Sequence, residues 1–342
     1  MMDLVYSPEY LKHGTFNHPE SPQRLTAMIS ALKESDLSND ITIKTPQMAS
    51  EEDIRRVHST EYVKHVKSFC EGGGGYLDPD TYASTESFQI ARLAAGGTIT
   101  AANLALEGES SAYSMVRPPG HHATTNRAMG FCLFNNLAVA LEYLREVKNI
   151  KKFAIFDFDI HYGNGTAEIF YNDPDVLYVS IHQDPHTIFP SKGFIEEQGS
   201  GQGKGYNLNI PVAPGSKTPD YIYLLERILK PVFKDFGADF YFYDVGFDAH
   251  EDDPLSGMFL DDFFYEWIAM KIVEQSGPVA LTLEGGYNLE ALARSNLKMI
   301  NVLTHEITIE DQKLTKNDQK VRDETKILFE KIEDNFSPFF TF

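Results

Sequence analysis

The sequence has only two cysteines, Cys70 and Cys132, in 342 residues. No disulfide framework can be built from them, and a reducing, cytoplasmic setting is the natural expectation. Basic residues are scarce, with 30 Lys plus Arg against 50 Asp plus Glu and a net charge of -20. That balance argues against direct nucleic-acid binding and against anionic membranes. The opening Met1-Met2-Asp3-Leu4-Val5-Tyr6 has neither a basic run nor a long apolar stretch, so no signal peptide is read. No window approaches a transmembrane span. Linkers and internal repeats are also missing. One domain over residues 1–304 is therefore the economical reading, followed by a charged tail, 305–342. That tail carries a helical pattern over 310–334 and ends in Phe339-Phe340-Thr341-Phe342, which is expected to dock on the body or on a partner.

What is present is 42% hydrophobic residue content, ample for a large core, arranged as alternating strands and helices. Strands are expected at 4–6, 112–116, 153–156, 176–181, 240–245 and 279–283. Helices are expected at 22–33, 51–57, 60–69, 85–106, 136–147, 218–236, 261–276 and from 288 to about 303. Gly96 and Gly97 inside the fourth helix predict close packing there, and Pro231 predicts a kink or break in the sixth. Residues 72–84 read as irregular, and 185–205 as a long glycine-rich loop. The alternation means βαβ units and a single-domain α/β fold, its central, mostly parallel sheet flanked by helices. Ligands in such folds bind beyond the carboxyl ends of the strands. Polar or glycine-rich loops follow several of these strands on that edge.

The most telling stretch is Lys152-Phe-Ala-Ile-Phe-Asp157-Phe-Asp159-Ile-His161-Tyr-Gly163-Asn164-Gly165-Thr166. A buried strand ends in two carboxylates and an imidazole on alternate positions, followed by an expected Gly-Asn-Gly turn. Asp248, at the end of its own strand, can join Asp159 and His161 as a third ligand. Three protein ligands with an open position make a catalytic rather than a structural metal site. Zinc is the first choice; iron(II), cobalt(II) and manganese(II) stay open, because two carboxylates and one imidazole form an oxygen-rich set. His121 and His122 follow Pro118 and Pro119 in a stiff turn and are general acid/base candidates if they face the metal. Their bland alternative is a pair of surface residues. Asp157 and Asn164 are the acceptors available to orient them. Tyr287 follows two glycines and can donate to an oxyanion, or it is a packed aromatic. Arg24, read alone, is a surface charge.

These pieces assemble into a resemblance. Arg117-Pro-Pro-Gly-His-His-Ala123, Gly130-Phe-Cys-Leu-Phe-Asn-Asn136, the Asp157–Thr166 stretch, Gly246-Phe-Asp-Ala-His250 with Asp253-Pro-Leu255, and Glu284-Gly-Gly-Tyr287 run in order along the chain. Together they resemble the histone deacetylase superfamily, which includes acetylpolyamine amidohydrolases. The resemblance implies an arginase/deacetylase-like fold and hydrolysis of an N-acetyl amide to acetate and an amine. It implies Asp159, His161 and Asp248 as zinc ligands and His122 as the base that activates water. His121 is then its partner on Asp157, and Tyr287 the oxyanion donor. Phe131 and Phe189, with Gly130, would form the walls of a substrate tunnel, although the residues alone suggest ordinary core. Arg24 would line an inner acetate channel and Asp80 would be a rim acid. The resemblance also implies structural K+ or Na+. One such ion would lie at Asp157, Asp159, His161, Ser180 and Ile181, and another at Phe170, Asp173, Val176 and Tyr206.

Position 164 is Asn, where some branches of that family carry Asp. An amide stabilises an imidazolium less than a carboxylate does, so His122 is expected to be the weaker base. Acetyl-lysine in proteins or peptides is the first-choice substrate and acetylpolyamine the alternative. An open rim would favour the former, and a capped entrance, built by a homo-oligomer through 185–205, the latter. An arginase-type dimetal enzyme would want a carboxylate two residues past His161, and that position is Gly163. A non-catalytic binding protein could lose Tyr287, a histidine or a ligand, yet all are present.

Overall fold

The computed structural model describes residues 2–15, 17–108, 111–307 and 320–342. In chain order the elements are β1 (Met2–Val5), α1 (Pro22–Glu34), β2 (Ile41–Lys44), α2 (Glu51–Arg55), α3 (Thr60–Glu71), β3 (Gly75–Tyr76), β4 (Tyr82–Ala83), α4 (Ser87–Gly108), β5 (Ser111–Ser114), α5 (Asn136–Val147), β6 (Phe153–Asp157), α6 (Asn164–Phe170), β7 (Val176–Gln183), β8 (Asn207–Val212), α7 (Thr218–Phe236), β9 (Phe240–Val245), α8 (Asp262–Val273), β10 (Val279–Leu283), α9 (Leu289–His305) and α10 (Asp323–Phe336). Eight strands form one sheet in the order β2-β1-β5-β10-β9-β6-β7-β8. Every pairing in it is parallel. All strand C-termini therefore share one edge, where the site is built.

Alternation along the strands divides the core into two layers. Phe153, Ile155, Phe240, Phe242, Ala112 and Ala280 face one side, where they meet apolar residues of α2 to α6. Ala154, Phe156, Tyr241, Tyr243, Leu281 and Leu283 face the other and meet α1 and α7 to α10. With both faces covered, the inner strands read as continuous apolar runs. Helix α4 is apolar nearly all round because it is enclosed. The close packing expected at its glycines is there. A Cβ on Gly96 would overlap the carbonyl of Gln47, and one on Gly97 the Tyr10 hydroxyl.

Several local expectations are corrected. Residues 164–170 form helix α6 rather than a turn. Two glycines at its start hide it in the sequence, and His121 O supports it by accepting from the amides of Gly165 and Thr166 at 3.0 and 3.1 Å. Within 72–84 a small antiparallel hairpin forms, β3 with β4, its Tyr76 and Tyr82 rings 5.2 Å apart. The edge strands β2 and β8 are not read in advance, β2 because it spans only four residues and β8 because Asn207, Asn209 and Pro211 give it the look of a loop. Helix α7 runs unbroken through Pro231. The carbonyl that this proline frees belongs to the exposed Arg227, where water can satisfy it.

Residues 308–319, part of the helical pattern expected at 310–334, lie outside the described residues. Helix α10 packs Ile332 and Phe336, with Phe340 beyond it, into the core layer on the α7 side. The backbone N–H and guanidinium of Arg322 hold its start on Asp220, Ala213 and Ser216. Two contacts tie this end of the chain to the 185–205 loop. Gly205 lies against the ring of Phe339, and Gln198 Nε2 donates to Asn335 Oδ1 at 3.3 Å.

Candidate active site

Strand β6 is buried at every position, and the chain leaving it delivers Asp159 and His161. The neighbouring β9 delivers Asp248. Ligand-capable atoms of these three all lie within 4.8 Å of one another. His161 Nδ1 is 3.2 Å from Asp159 Oδ1 and 3.1 Å from Asp248 Oδ2. The remaining carboxylate oxygens are used to hold the cradle. Asp159 Oδ2 accepts from Gly285 N–H at 2.7 Å, and Asp248 Oδ1 from Ile160 N–H at 3.0 Å. Two buried anions converge on one imidazole nitrogen. Burial and Asp159 push Asp248 up to about 7. His161 is held up at about 10, because its two carboxylate partners outweigh burial. The set fits a divalent cation, which would relieve the repulsion and displace the His161 proton.

The chain after β5 brings His121 and His122 to the same edge. His121 Nδ1 lies 3.1 Å from Asp157 Oδ2, which also accepts from the Tyr178 hydroxyl at 2.7 Å. His122 Nδ1 lies 2.8 Å from Asn164 Oδ1. The two rings are 4.0 Å apart, and His122 is 5.9 Å from the His161 ring. Their environments split the pair. Burial opposes charge on His121, but Asp159, Asp157 and Glu284 overcome it and raise its pKa well above the usual value. Burial, His121 and His161 drive His122 well below. This division favours a neutral His122 and a charged His121. Asn164 offers an oxygen, so His122 carries its proton on Nδ1 and keeps Nε2 free as a base.

Tyr287 follows β10. Its N–H donates to Asp253 Oδ2 at 2.6 Å, and Arg24 Cζ lies 5.1 Å from its ring centre. Burial and Asp248 raise its phenol well above the ordinary range, so it remains a donor. Phe131 stands 5.7 Å from the Tyr287 ring, and Phe189 5.0 Å from the His122 ring. Gly130 precedes Phe131 at positive φ, and a Cβ there would strike the His122 ring. Phe189 is 38% exposed and Phe131 is half-buried, so neither is an ordinary core residue. Asp80 reaches this rim through its neighbours. His18 Nε2 is 3.1 Å from Asp80 O, with the His18 ring 4.4 Å from Phe131. Burial and Asp78 raise the Asp80 carboxyl to about 6.

Arg24, a surface charge on its own reading, is fully buried. It donates to the carbonyls of Gly286 and Glu284 at 2.6 and 2.5 Å, inside the loop that carries Tyr287. Among the positions suggested for monovalent ions, Ser180 pairs in register with Asp157 and its hydroxyl lies 2.9 Å from His182 Nδ1. Ile181 follows it, buried on the opposite face. The carbonyls of Phe170 and Tyr206 accept from the amides of Asp173 and Tyr178, beside Val176 at the start of β7. Sequence reasoning missed the side-chain roles of Glu284, Tyr178, Asp253 and His18. Glu284 and Asp253 stand inside quoted motifs, but what each one holds is visible only once separate loops meet.

Parallel sheet, converging strand ends and a three-ligand cradle beside two imidazoles define an α/β protein with a candidate divalent-metal centre. Residues 18–303 match the family model described as histone deacetylase domain. The chain belongs to the histone deacetylase family. It is 44% identical over 341 residues to a probable deacetylase of Methanothermobacter thermautotrophicus, covering the whole of both chains. Over 293 residues it is 37% identical to a histone deacetylase-like amidohydrolase of Pseudomonas aeruginosa, covering 84% of this chain and 77% of that one. The crystal structure of an HDA15 HD domain superposes with a TM-score of 0.91 at 30% identity, covering 99% of this chain and 95% of that one. Among the described residues no helix is long and apolar enough to cross a membrane.

Proposed function

We propose that this chain is a zinc-dependent deacetylase that hydrolyses the acetamide of acetyl-lysine in proteins or peptides, releasing acetate and the free amine. The observation that carries this reading is the divided histidine pair. The His121 and His122 rings lie 4.0 Å apart and tilted at 49°, the first on Asp157 and the second on Asn164, beside the Asp159–His161–Asp248 cradle. A zinc ion held by those three ligands supplies Lewis acidity toward the acetyl carbonyl and toward a water. The side chains do the rest. His122 takes the water proton on Nε2 while Asn164 fixes its tautomer. His121, held by Asp157, offsets the negative charge that develops, and the Tyr287 hydroxyl donates to the oxyanion. When the C–N bond breaks, His122 returns the proton from Nε2 to the departing amine.

Phe131 and Phe189 would flank the aliphatic arm, with Gly130 giving the first its approach and Asp80 at the rim. Arg24 would line the path for acetate. We further assign K+ or Na+ to the two groups of positions named above, residues 1–304 to the catalytic unit, 305–342 to a supporting tail, and a cytoplasmic setting to the whole. Acetylpolyamine is the second reading. The Thr81 hydroxyl that accepts from the Phe131 N–H donates to the Asp78 and Asp80 carboxylates, and Asp80, not paired with Arg127 as Asp78 is, favours this reading by attracting a distant ammonium.

A matched panel of acetyl-lysine peptides, acetylputrescine and acetylspermidine, with and without chelator, tests both. Peptide turnover abolished by chelator is expected. Turnover of polyamines alone would overturn the first reading. The Asn164→Asp variant gives a pH test. A carboxylate on Nδ1 raises the His122 pKa, and the base works only when neutral. The acid limb of kcat/KM is therefore expected at higher pH in the variant than in the native protein. Identical limbs would remove His122 from the role of base.

A further inference from the structure

Glu284 is a fully buried acid that enters the mechanism above only through its charge, which with Asp159 and Asp157 favours a protonated His121. Its Oε2 accepts from the amides of Gly120 and His121 at 2.8 and 3.1 Å, gripping the turn that carries both imidazoles. Its own carbonyl is held by Arg24 Nη2 at 2.5 Å, and Arg24 Nε holds Gly286 O at 2.6 Å. Between them, Gly285 N–H donates to Asp159 Oδ2 at 2.7 Å. Three consecutive residues thus touch the histidine turn, a metal ligand and the arginine lying against Tyr287. The grip has a cost. Glu284 Oε1 and both oxygens of Asp244 have no hydrogen-bond partner among the described residues. Asp244 lies one strand from β10 and one strand from Asp157, in register with Thr282 and Asp157. Burial and Glu284 push its carboxyl well up, while burial lifts Glu284 itself to about 7. Two neighbouring buried acids lower stability.

We infer that Glu284 is a positioning residue. Its carboxylate clamps the His121–His122 turn to the Glu284–Tyr287 strap, and so sets where the base stands relative to the oxyanion donor. This rests on the deacetylase reading and on His122 as its base. What the turn needs from position 284 is an acceptor of the right reach; the charge that supports a protonated His121 comes first from Asp159 and Asp157, which the substitution leaves in place. Glu284→Gln keeps the acceptor and puts an NH2 at the place of the unpartnered Oε1, near Asp244. Glu284→Met keeps the volume and removes the acceptor.

Purified full-length variants are compared for zinc content, Tm, kcat and KM on an acetyl-lysine peptide. Glu284→Met is expected to bind zinc at the native stoichiometry, to keep KM within about threefold, and to lose kcat by about 10- to 100-fold, as small misplacements of catalytic groups do. Glu284→Gln is expected to keep kcat within about threefold of the native value, with Tm equal or higher. A structural role alone would make activity follow Tm or zinc content. Native kcat in the Met variant, a loss matched by lost zinc, or a Gln variant as poor as Met would each overturn the inference. Glu284→Ala takes the place of Met if that variant does not fold. His122→Ala separates the two levels. If it is inactive while Glu284→Met has native kcat, only the clamp is wrong; if it is fully active, the deacetylase reading itself falls.

Discussion

Asp248→Ala is expected to leave a folded protein that holds no divalent ion at stoichiometry and has lost nearly all turnover. Asp248 contributes one of the three ligand groups found among the described residues, and its two oxygens have separate tasks. Oδ2 faces His161 Nδ1 at 3.1 Å and Oδ1 holds Ile160 N–H at 3.0 Å. Removing it leaves a two-ligand set, too few for a catalytic site. It also releases the amide between the other two ligands, so their spacing loosens as well. Folding should survive, because the loss removes a buried acid that Asp159 already repels. Metal analysis after dialysis, together with peptide turnover, checks this. A variant that keeps full metal content or native turnover would show that the ion is held elsewhere.

Tyr287→Phe is expected to keep zinc and KM and to lose roughly 10²–10³-fold in kcat, about 2.7–4 kcal/mol of transition-state stabilisation. The ring would stay in place. Its neighbours are Phe131 at 5.7 Å and Arg24 at 5.1 Å, and the loop is fixed by backbone bonds to Asp253 that the substitution does not touch. Only the donor goes. A drop in kcat with unchanged KM is what an interaction made only in the transition state predicts. Native kcat in this variant would assign the phenol to packing.

The main architecture was legible because its signals are long and periodic. The strands over 240–245 and 279–283 and the helix over 136–147 occur where the pattern puts them. Smaller pieces were hidden for identifiable reasons. Helix α6 starts in glycine-rich sequence and is held by His121 O from outside, a support no local propensity contains. Strand β8 alternates Asn with Leu and Ile and ends near Pro211, so it reads as loop. In the site, Asp159, His161 and Asp248 stood out because carboxylates and imidazole at strand ends have few other uses. Arg24 did not, since an arginine one turn into a helix is usually solvated. Its burial depends on carbonyls more than 250 positions away in the chain.

The brace between Phe339 and Gly205, with that between Asn335 and Gln198, has a consequence for how this enzyme could diversify. The far end of the loop that bears Phe189 is steadied from behind by one aromatic ring, Phe339, and one amide, Asn335. If Phe189 flanks the substrate as proposed, substrate choice can drift through changes around Asn335 and Phe339. The reaction itself, built on other loops, would remain as it is.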